Sequence, residues 1–459
     1  MNIKIVEPCD LNNKYDVRSL NPNLGPVVIA SLLKQAGHRV EVISEYVTRL
    51  EINDINAADL VCISIATYNA RRGFEIARQV HRPIVFGGFH ASLMPHECLA
   101  FGEYVIKGDG HPVVQLAEYV EKGKAEDIGQ IPNLVYKKSG RIIHNHMESR
   151  AINTLTDHGL ARDFYRPGVK RLLRIPRLVN ASRGCNYSCS FCSIKAVYQD
   201  FINRQKEIVI SEIKALINDR PMLSRLLPEV IWITDDNFFS DKEWAKSILK
   251  ELATLKSKFS FVLQARVEVA EDEEILNLLR KANVGRLYLG IESINQRSLN
   301  QFKKDTSLEN VCRAVGKIKK HGIDVFGLFV FGDDEFKIGD GKKVAEFARR
   351  QGLVGVLVQP LTPFPGTRLF RRLKKQGRIL HENWQDYNGK VVFKPKNLTA
   401  AELQKEIYDC YRSVYSPLRL AKYSIFGKRG SKLGVIGEGL IRYWEWLKCK
   451  NYIKDKLSD

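Results

Sequence analysis

The chain has 459 residues, with 72 lysines and arginines against 52 aspartates and glutamates, for a formal net charge of +20. That length holds two or three domains with buried cores, and no apolar run of about 18 residues is present to cross a bilayer. Of nine cysteines, six are scattered singly at Cys9, Cys62, Cys98, Cys312, Cys410 and Cys449, which excludes a disulfide scaffold and reads as a reduced, cytoplasmic protein.

The opening residues Met1 to Glu7 turn acidic at once and lack a long apolar core, so they read as a first strand and not as a signal peptide. Val27 to Leu33 has helical spacing and stops at Gly37, and Arg39 to Ile43 alternates as a strand. The pattern repeats through the apolar strand Leu60 to Ile65, the helix Gly73 to Val80, the strand Pro83 to Gly88 and the strand Tyr104 to Ile106 before Gly108. Alternating βα units predict a doubly wound parallel sheet over residues 1–145, whose ligands sit at the carboxyl ends of the strands. Those ends carry Ser64, Thr67, Gly87-Gly88-Phe89-His90 and Gly108-Asp109-Gly110. Alone, Gly87-Gly88 is also what a tight strand-to-helix turn needs, and His90 also reads as a hydrogen-bonded loop histidine. Residues 146–177 form a polar linker, broken by Arg166-Pro167-Gly168 and Ile175-Pro176-Arg177.

The next apolar strand, Leu178 to Ala181, runs into a loop holding Cys185, Cys189 and Cys192 in the spacing C-x3-C-x2-C, with Phe191 before the last thiol. Three thiolates hold an iron–sulfur cubane and leave its fourth iron open for another ligand. A structural zinc loop requires a fourth protein ligand, ordinarily from a second C-x2-C pair, and the sequence has none. Strand candidates follow at Val230 to Thr234, Ser260 to Gln264, Arg286 to Ile291, Val325 to Val330 and Gly355 to Gln359, separated by amphipathic helices such as Glu243 to Leu255 and Asp272 to Lys281. Six βα units predict a partial (β/α)6 barrel over residues 178–393, with Asp235, Asp236, Asn237, Gln264, Arg266, Glu292, Ser293, Gly327, Gly332 and Gln359 at or near the strand ends. The aspartates also suit a helix N-cap. Residues 394–459 are a basic helical region. Its helix Ala400 to Tyr415 precedes a stretch from Leu433 to Leu457 that carries Leu440, Tyr443, Trp444 and Leu447 on one apolar stripe. That stripe packs over the barrel or lies on an anionic membrane face. The surplus of cations predicts an anionic partner or simply a solvated basic face.

The cysteine loop, followed in order by these strand ends, resembles the radical S-adenosylmethionine (SAM) superfamily. Residues 1–145 resemble the cobalamin-binding domain that precedes the barrel in one large group of that superfamily, through Pro22-Asn23-Leu24-Gly25, Ser64 with Thr67, Gly87-Gly88-x-His90 and Gly108-Asp109-Gly110. The resemblance implies that Cys185, Cys189 and Cys192 hold a [4Fe-4S] cluster whose open iron takes the amino and carboxylate groups of SAM. It places Asp235, Asp236 or Asn237 at the SAM ammonium, Gln264 and Arg266 in the same mouth, Glu292 and Ser293 at the ribose or amino acid, Gly327 and Gly332 near adenine, and Gln359 in the last turn-rich segment. Leu24, Gly25, Ser64, Thr67, Gly87, Gly88, His90, Gly108, Asp109 and Gly110 would contact cobalamin. Asp109 stands where the family more often has glutamate, and no D-x-H-x-x-G stretch follows the first strands, so the usual histidine ligand to cobalt is not supplied.

The implied activity is reductive cleavage of SAM to a 5′-deoxyadenosyl radical and cobalamin-dependent methylation of an unactivated carbon. Ring formation or rearrangement without methyl transfer uses the same cofactors. Methylthiolation of tRNA would need a second cluster on Cys9, Cys62 and Cys98, and an electron-transfer or sensor protein would ordinarily complete its cluster with a fourth cysteine. The expected partners are an external electron donor of flavodoxin or ferredoxin type and a small-molecule or lipid-like substrate, with peripheral contact to an anionic membrane surface and no nucleic acid.

Overall fold

Strand β1 (Asn2–Glu7) is buried along nearly its whole length, as a strand in the middle of a parallel sheet must be when helices cover both faces. It pairs in parallel with β2 (Arg39–Ser44) on one side and β3 (Leu60–Ser64) on the other, and β4 (Ile84–Gly87) and β5 (Tyr104–Ile106) continue in parallel. The order β2-β1-β3-β4-β5 places a topological switch between β1 and β3, the position at which doubly wound sheets bind their ligands. In the computed structural model the described residues are 1–9, 23–123, 127–149, 177–218, 230–255 and 259–416.

Two further strands, β6 (Leu134–Lys138) and β7 (Arg141–His144), complete the seven-stranded sheet as an antiparallel hairpin on β5. Their connection is Ser139-Gly140, with φ of 49° and 76°, and positive φ at both central residues is what a two-residue hairpin turn requires. One face of the sheet is closed by the helices Leu24–Gln35 and Val113–Glu121. Val27, Ala30 and Leu33 of the first and Leu116 and Ala117 of the second join Ile3, Ile5, Val42 and Leu60 in one core.

The second sheet has six strands, all parallel and in chain order: β8 (Arg177–Val179), β9 (Val230–Ile233), β10 (Ser260–Arg266), β11 (Val284–Glu292), β12 (Asp324–Phe331) and β13 (Gly355–Pro360). These strands coincide to within a few residues with the six apolar runs read from the sequence, although β9 alternates, with Val230 and Trp232 exposed. The chain divides into two compact units, residues 1–176 with 193–216 and 383–385, and residues 177–192 with 217–382 and 386–459. The division therefore differs from a linear boundary at residue 178. Residues 193–216 pack with the first sheet, where the Tyr198 ring meets Phe89 edge-on at 5.8 Å.

The helix Ala400–Val414 covers the open edge of β13. The Tyr411 hydroxyl donates to Val358 O at 2.7 Å and accepts from Val358 N at 2.9 Å, and Tyr415 does the same at Val356, at 2.8 Å in both directions. Four residues of helix rise span about 6 Å and two residues of strand about 6.6 Å, so tyrosines at i and i+4 match alternate peptides of the edge. The edge strand is thereby closed to further pairing. Most of the linker predicted at 146–177 and the basic stretch Leu433 to Leu457 lie outside the described residues. Among the described residues, no helix is long and apolar enough to cross a membrane.

Candidate active site

The cysteine loop leaves the carboxyl end of β8 and is held at each step by a different side chain. At its start, Asp235 is fully buried after β9. Its carboxylate accepts from the Ala181 backbone at 2.7 Å, from the Ser182 hydroxyl at 2.5 Å and from the Asn180 amide at 3.3 Å. The neighbouring Asp236 accepts from the backbone of Gly184, whose φ of 81° turns the chain into Cys185. Burial and the adjacent Asp235 push the Asp236 carboxyl up to about 7, against the pull of that hydrogen bond and of Arg183. Asn186 donates to the Ser240 carbonyl at 3.0 Å, and the Ser240 hydroxyl faces Cys185 Sγ at 4.0 Å.

Further along, the Arg266 guanidinium ends β10 against the loop. It lies 3.7 Å over the Tyr187 ring, places Nη1 3.8 Å from Cys189 Sγ, and is fixed by a two-point ion pair with Glu268 at 2.7 and 3.2 Å. Ser190 accepts from the Leu369 backbone at 3.2 Å, and Phe191 packs edge-on against the buried Phe302 at 5.1 Å. Burial raises the Cys189 thiol, opposed by the charges of Lys304 and Arg266. No cysteine among the described residues is in a disulfide, and Cys185, Cys189 and Cys192 are all partly exposed. Among the described residues, no three His, Cys, Asp or Glu side chains converge as ligands of a single metal ion.

At the end of β11, Glu292 adopts φ 64°, a left-handed conformation that a glutamate holds only when its surroundings impose it. It is the central residue of a tight turn at a register shift of the strand, and its side chain makes an ion pair with Lys304 Nζ at 2.8 Å, with the two side chains 13% and 5% exposed. A side chain at Gly290 would stand 2.9 Å from Glu292 Oε1 and 3.3 Å from Lys304 Nζ, so glycine there leaves room for the pair. Ser293 follows in a tight turn, its N–H donating to Ile291 O at 2.8 Å. Asn237 is buried and bonds the Ser240 hydroxyl at 3.1 Å, while its Oδ1 has no partner among the described residues. Gln264 and Gln359 are half-buried, with side chains that make no hydrogen bond among the described residues. Gly327 and Gly332 face apolar side chains: a Cβ at Gly327 would meet Phe329 and Leu353, and one at Gly332 would meet Leu403 and Phe393.

In the first unit, the predicted turns gather along the carboxyl edge of the parallel sheet. Gly88 has φ 92°, and a Cβ there would stand 2.6 Å from the Ile65 carbonyl, so only glycine allows β3 and this turn to approach. Ser92 joins two glycine turns, donating to Gly88 O at 2.8 Å and accepting from Gly108 N at 2.9 Å. Open space surrounds the positions a Cβ would take at Gly25 and Gly87. Ser64 is half-buried, and Thr67 and Asp109 are buried. Gly110 lies against the Ile29 side chain. The helix bearing Leu24 and Gly25 is tied to β1 by Glu7, which accepts from Asn23 N at 2.8 Å and Asn23 Nδ2 at 2.5 Å, and from the Ser44 hydroxyl at 2.6 Å.

His90 is turned inward. Its ring is fully buried, with Nε2 3.1 Å from Glu97, whose carboxylate also accepts from Trp384 Nε1 at 3.0 and 3.1 Å. The imidazole is thus a core group of its own unit, in the short helix Phe89–Leu93, and its backbone N–H donates to Ile65 O at 3.1 Å. Cys9, Cys62 and Cys98 are likewise buried, Cys62 inside the core with Ile5 and Val85.

The donor set fits an iron–sulfur cluster: three thiols in one loop, none of them in a disulfide, a guanidinium against one sulfur, and no fourth thiol in the loop. The buried orphan acceptor of Asn237 and the two unpaired glutamine amides fit a ligand with ammonium and hydroxyl donors. Open glycine surface at the sheet's carboxyl edge fits a broad, flat ring.

Residues 179–348 match the family model of the Radical SAM superfamily, and residues 367–447 match a domain of unknown function, DUF4070. The chain is 28% identical over 247 residues to the uncharacterized methyltransferase sll1242 of Synechocystis sp., covering 52% of this chain and 45% of that protein. It is 24% identical over 375 residues to the bacteriochlorophyllide d C-12(1)-methyltransferase of Chlorobaculum tepidum, covering 80% of this chain and 77% of that protein. The chain spans about half the length of several curated relatives it matches, the Synechocystis protein among them. The solved structure of the cobalamin-dependent SAM radical enzyme OxsB, with aqua-cobalamin and SAM bound, aligns with a TM-score of 0.72 at 16% identity, over 98% of this chain and 80% of that one. This likeness establishes the shared α/β fold.

Proposed function

We propose that this chain is a cobalamin-dependent radical SAM methyltransferase acting on an unactivated carbon of a small or lipid-like molecule. The observation that carries the reading is the loop of three thiols, none in a disulfide, anchored separately by Asp235, Asp236, Arg266 and Phe191 at the carboxyl end of a six-stranded parallel sheet. We take that sheet to curve as a partial barrel, with the strand ends at its mouth. Cys185, Cys189 and Cys192 hold a [4Fe-4S] cluster; when bound, it supplies the electron that splits SAM into methionine and a radical able to take hydrogen from carbon.

The chain's own groups position and shield. Asp235 and Asp236 fix the loop from which the thiolates project, and Asn237 Oδ1 accepts from the SAM ammonium. Gln264, Gln359, Glu292 and Ser293 bind its ribose and amino acid, with Lys304 holding the Glu292 carboxylate in place. Gly327 and Gly332 allow the close layer packing behind these groups. In the first unit, Leu24, Gly25, Ser64, Thr67, Gly87, Gly88, Gly108, Asp109 and Gly110 border cobalamin, which supplies the transferable methyl group. His90 would contribute its backbone there, since its buried ring is held by Glu97. A hydrophobic substrate is favoured by the Chlorobaculum relative, whose name assigns it a bacteriochlorophyllide.

The test is anaerobic reconstitution with iron, sulfide and hydroxocobalamin, desalting, and detection of products after adding dithionite and SAM. Retained cobalamin with both 5′-deoxyadenosine and S-adenosylhomocysteine supports methyl transfer. Deoxyadenosine without bound cobalamin removes the methyltransferase assignment and leaves the radical SAM chemistry.

A further inference from the structure

The helix Arg368–Lys375 presents the most concentrated charge among the described elements of the second unit. Five of its eight residues are basic, and it carries no acid. Leu369, Phe370 and Leu373 are buried beneath it, so Arg368, Arg371, Arg372, Lys374 and Lys375 are all exposed on the outer face. Two have carboxylate partners, Lys374 with Glu382 at 2.7 Å and Arg372 with Asp334 at 3.9 Å. Arg368, Arg371 and Lys375 have none among the described residues. Uncompensated like charges on one short helix oppose its own folding, and a solvated face needs no such density.

The position of this face gives the charge a use. Its first turn is bonded to the cysteine loop: Leu369 N donates to Ser190 O at 3.2 Å, and Ser190 stands directly after Cys189 and two residues before Cys192.

We infer that this basic face is the docking surface for an acidic one-electron carrier protein, with Arg368, Arg371 and Lys375 supplying the attraction. The inference rests on the function proposed above, because it needs a cluster that must be reduced. One electron leaves the reduced flavin or iron–sulfur centre of the carrier and enters the site held by the cysteine loop. No atom is transferred, and the carrier is left oxidised by one electron. Steering between opposite charges sets the rate of encounter, so the face acts on the speed of electron delivery and leaves the chemistry at the thiols untouched.

The experiment uses the full chain with its reconstituted cluster and an acidic flavodoxin held as its hydroquinone. Bleaching of the cluster absorbance is followed by stopped flow, with dithionite as the small reductant in a parallel series. The double variant Arg371→Glu with Lys375→Glu is expected to lose about tenfold or more in flavodoxin-driven rate, with the dithionite-driven rate unchanged. The wild-type flavodoxin rate is expected to fall as salt is raised. The neutral variant Arg371→Gln with Lys375→Gln is expected to lie between, which separates docking from any fault in folding of the reversed one. Equal flavodoxin rates in wild type and both variants, or a rate indifferent to salt, overturn the docking assignment. Loss of binding to phosphatidylglycerol vesicles with an unchanged flavodoxin rate assigns the face to a lipid surface and overturns it equally. Failure of dithionite to reduce the wild-type protein overturns the proposed function beneath it.

Discussion

Replacing Asp235 with alanine removes the acceptor on which the start of the cysteine loop is built. Three donors converge on that carboxylate, and two of them, the Ala181 N–H and the Ser182 hydroxyl, are themselves buried. Each orphaned buried donor costs about 1–3 kcal/mol, and a hydrogen bond to a charged acceptor contributes roughly 1.5–3 kcal/mol, so the variant is expected to lose about 3–5 kcal/mol. The conservative Asp235→Asn keeps one carbonyl oxygen for Ala181 and Asn180 and can donate to Ser182, so its loss is expected at about 1 kcal/mol. The assay pairs urea unfolding of each protein with iron and acid-labile sulfide after reconstitution. Alanine should lower both stability and iron retention, and asparagine should largely restore them. If alanine instead left iron content and stability intact while raising the KM for SAM, Asp235 would be a SAM contact, as the sequence alone allows, and the loop-anchoring account would be refuted.

Asp236 predicts a pH dependence. Its carboxyl is raised to about 7 in the folded protein, so between its ordinary value and 7 the folded state binds a proton that the unfolded state does not. Stability from this group is full below about pH 4 and is lost as pH rises through 7. Asp236→Asn should flatten that decline and be the more stable protein at pH 8, by at most about 2–4 kcal/mol, measured as a pH series of unfolding midpoints. Gly290→Ala should push apart the buried Glu292–Lys304 pair and cost about 1–3 kcal/mol, with weakened SAM binding by equilibrium dialysis; unchanged affinity would detach that pair from the site. Tyr411→Phe leaves the Val358 N–H and C=O without partners at the edge of β13, and should cost about 2–4 kcal/mol with lost amide-exchange protection at Val358; retained protection would show that the edge is closed by something else.

Apolar runs without polar interruption made the parallel strands legible, and the glycines ending them marked the turns. The three-thiol loop was legible because thiols so close in sequence have few other uses. Long-range pairs were hidden. Arg266 was expected at the same mouth, but nothing near it or Lys304 in the chain announces that one will lie against Cys189 and the other will pair with Glu292. Tyr411 and Tyr415 look like any i, i+4 aromatic pair until the edge strand they satisfy is in place. Ser139-Gly140 did carry a hairpin signal, overshadowed by the βα rhythm before it. The surroundings of His90 were hidden as well: beside two glycines it reads as a ligand contact or as a hydrogen-bonded histidine, and only the fold shows Glu97, itself bonded by Trp384, holding its buried ring.

The central claim is that Cys185, Cys189 and Cys192 together hold a cluster that cleaves SAM. The most direct measurement is 5′-deoxyadenosine formed by the anaerobically reconstituted protein and by its three single cysteine-to-alanine variants, with iron and sulfide determined on the same samples. The wild type should carry about four irons and four sulfides per chain and form deoxyadenosine on reduction, and each variant should form none. Cleavage that survives the loss of any one of the three thiols, or a wild-type protein that takes up zinc in place of iron and sulfide, would contradict the account.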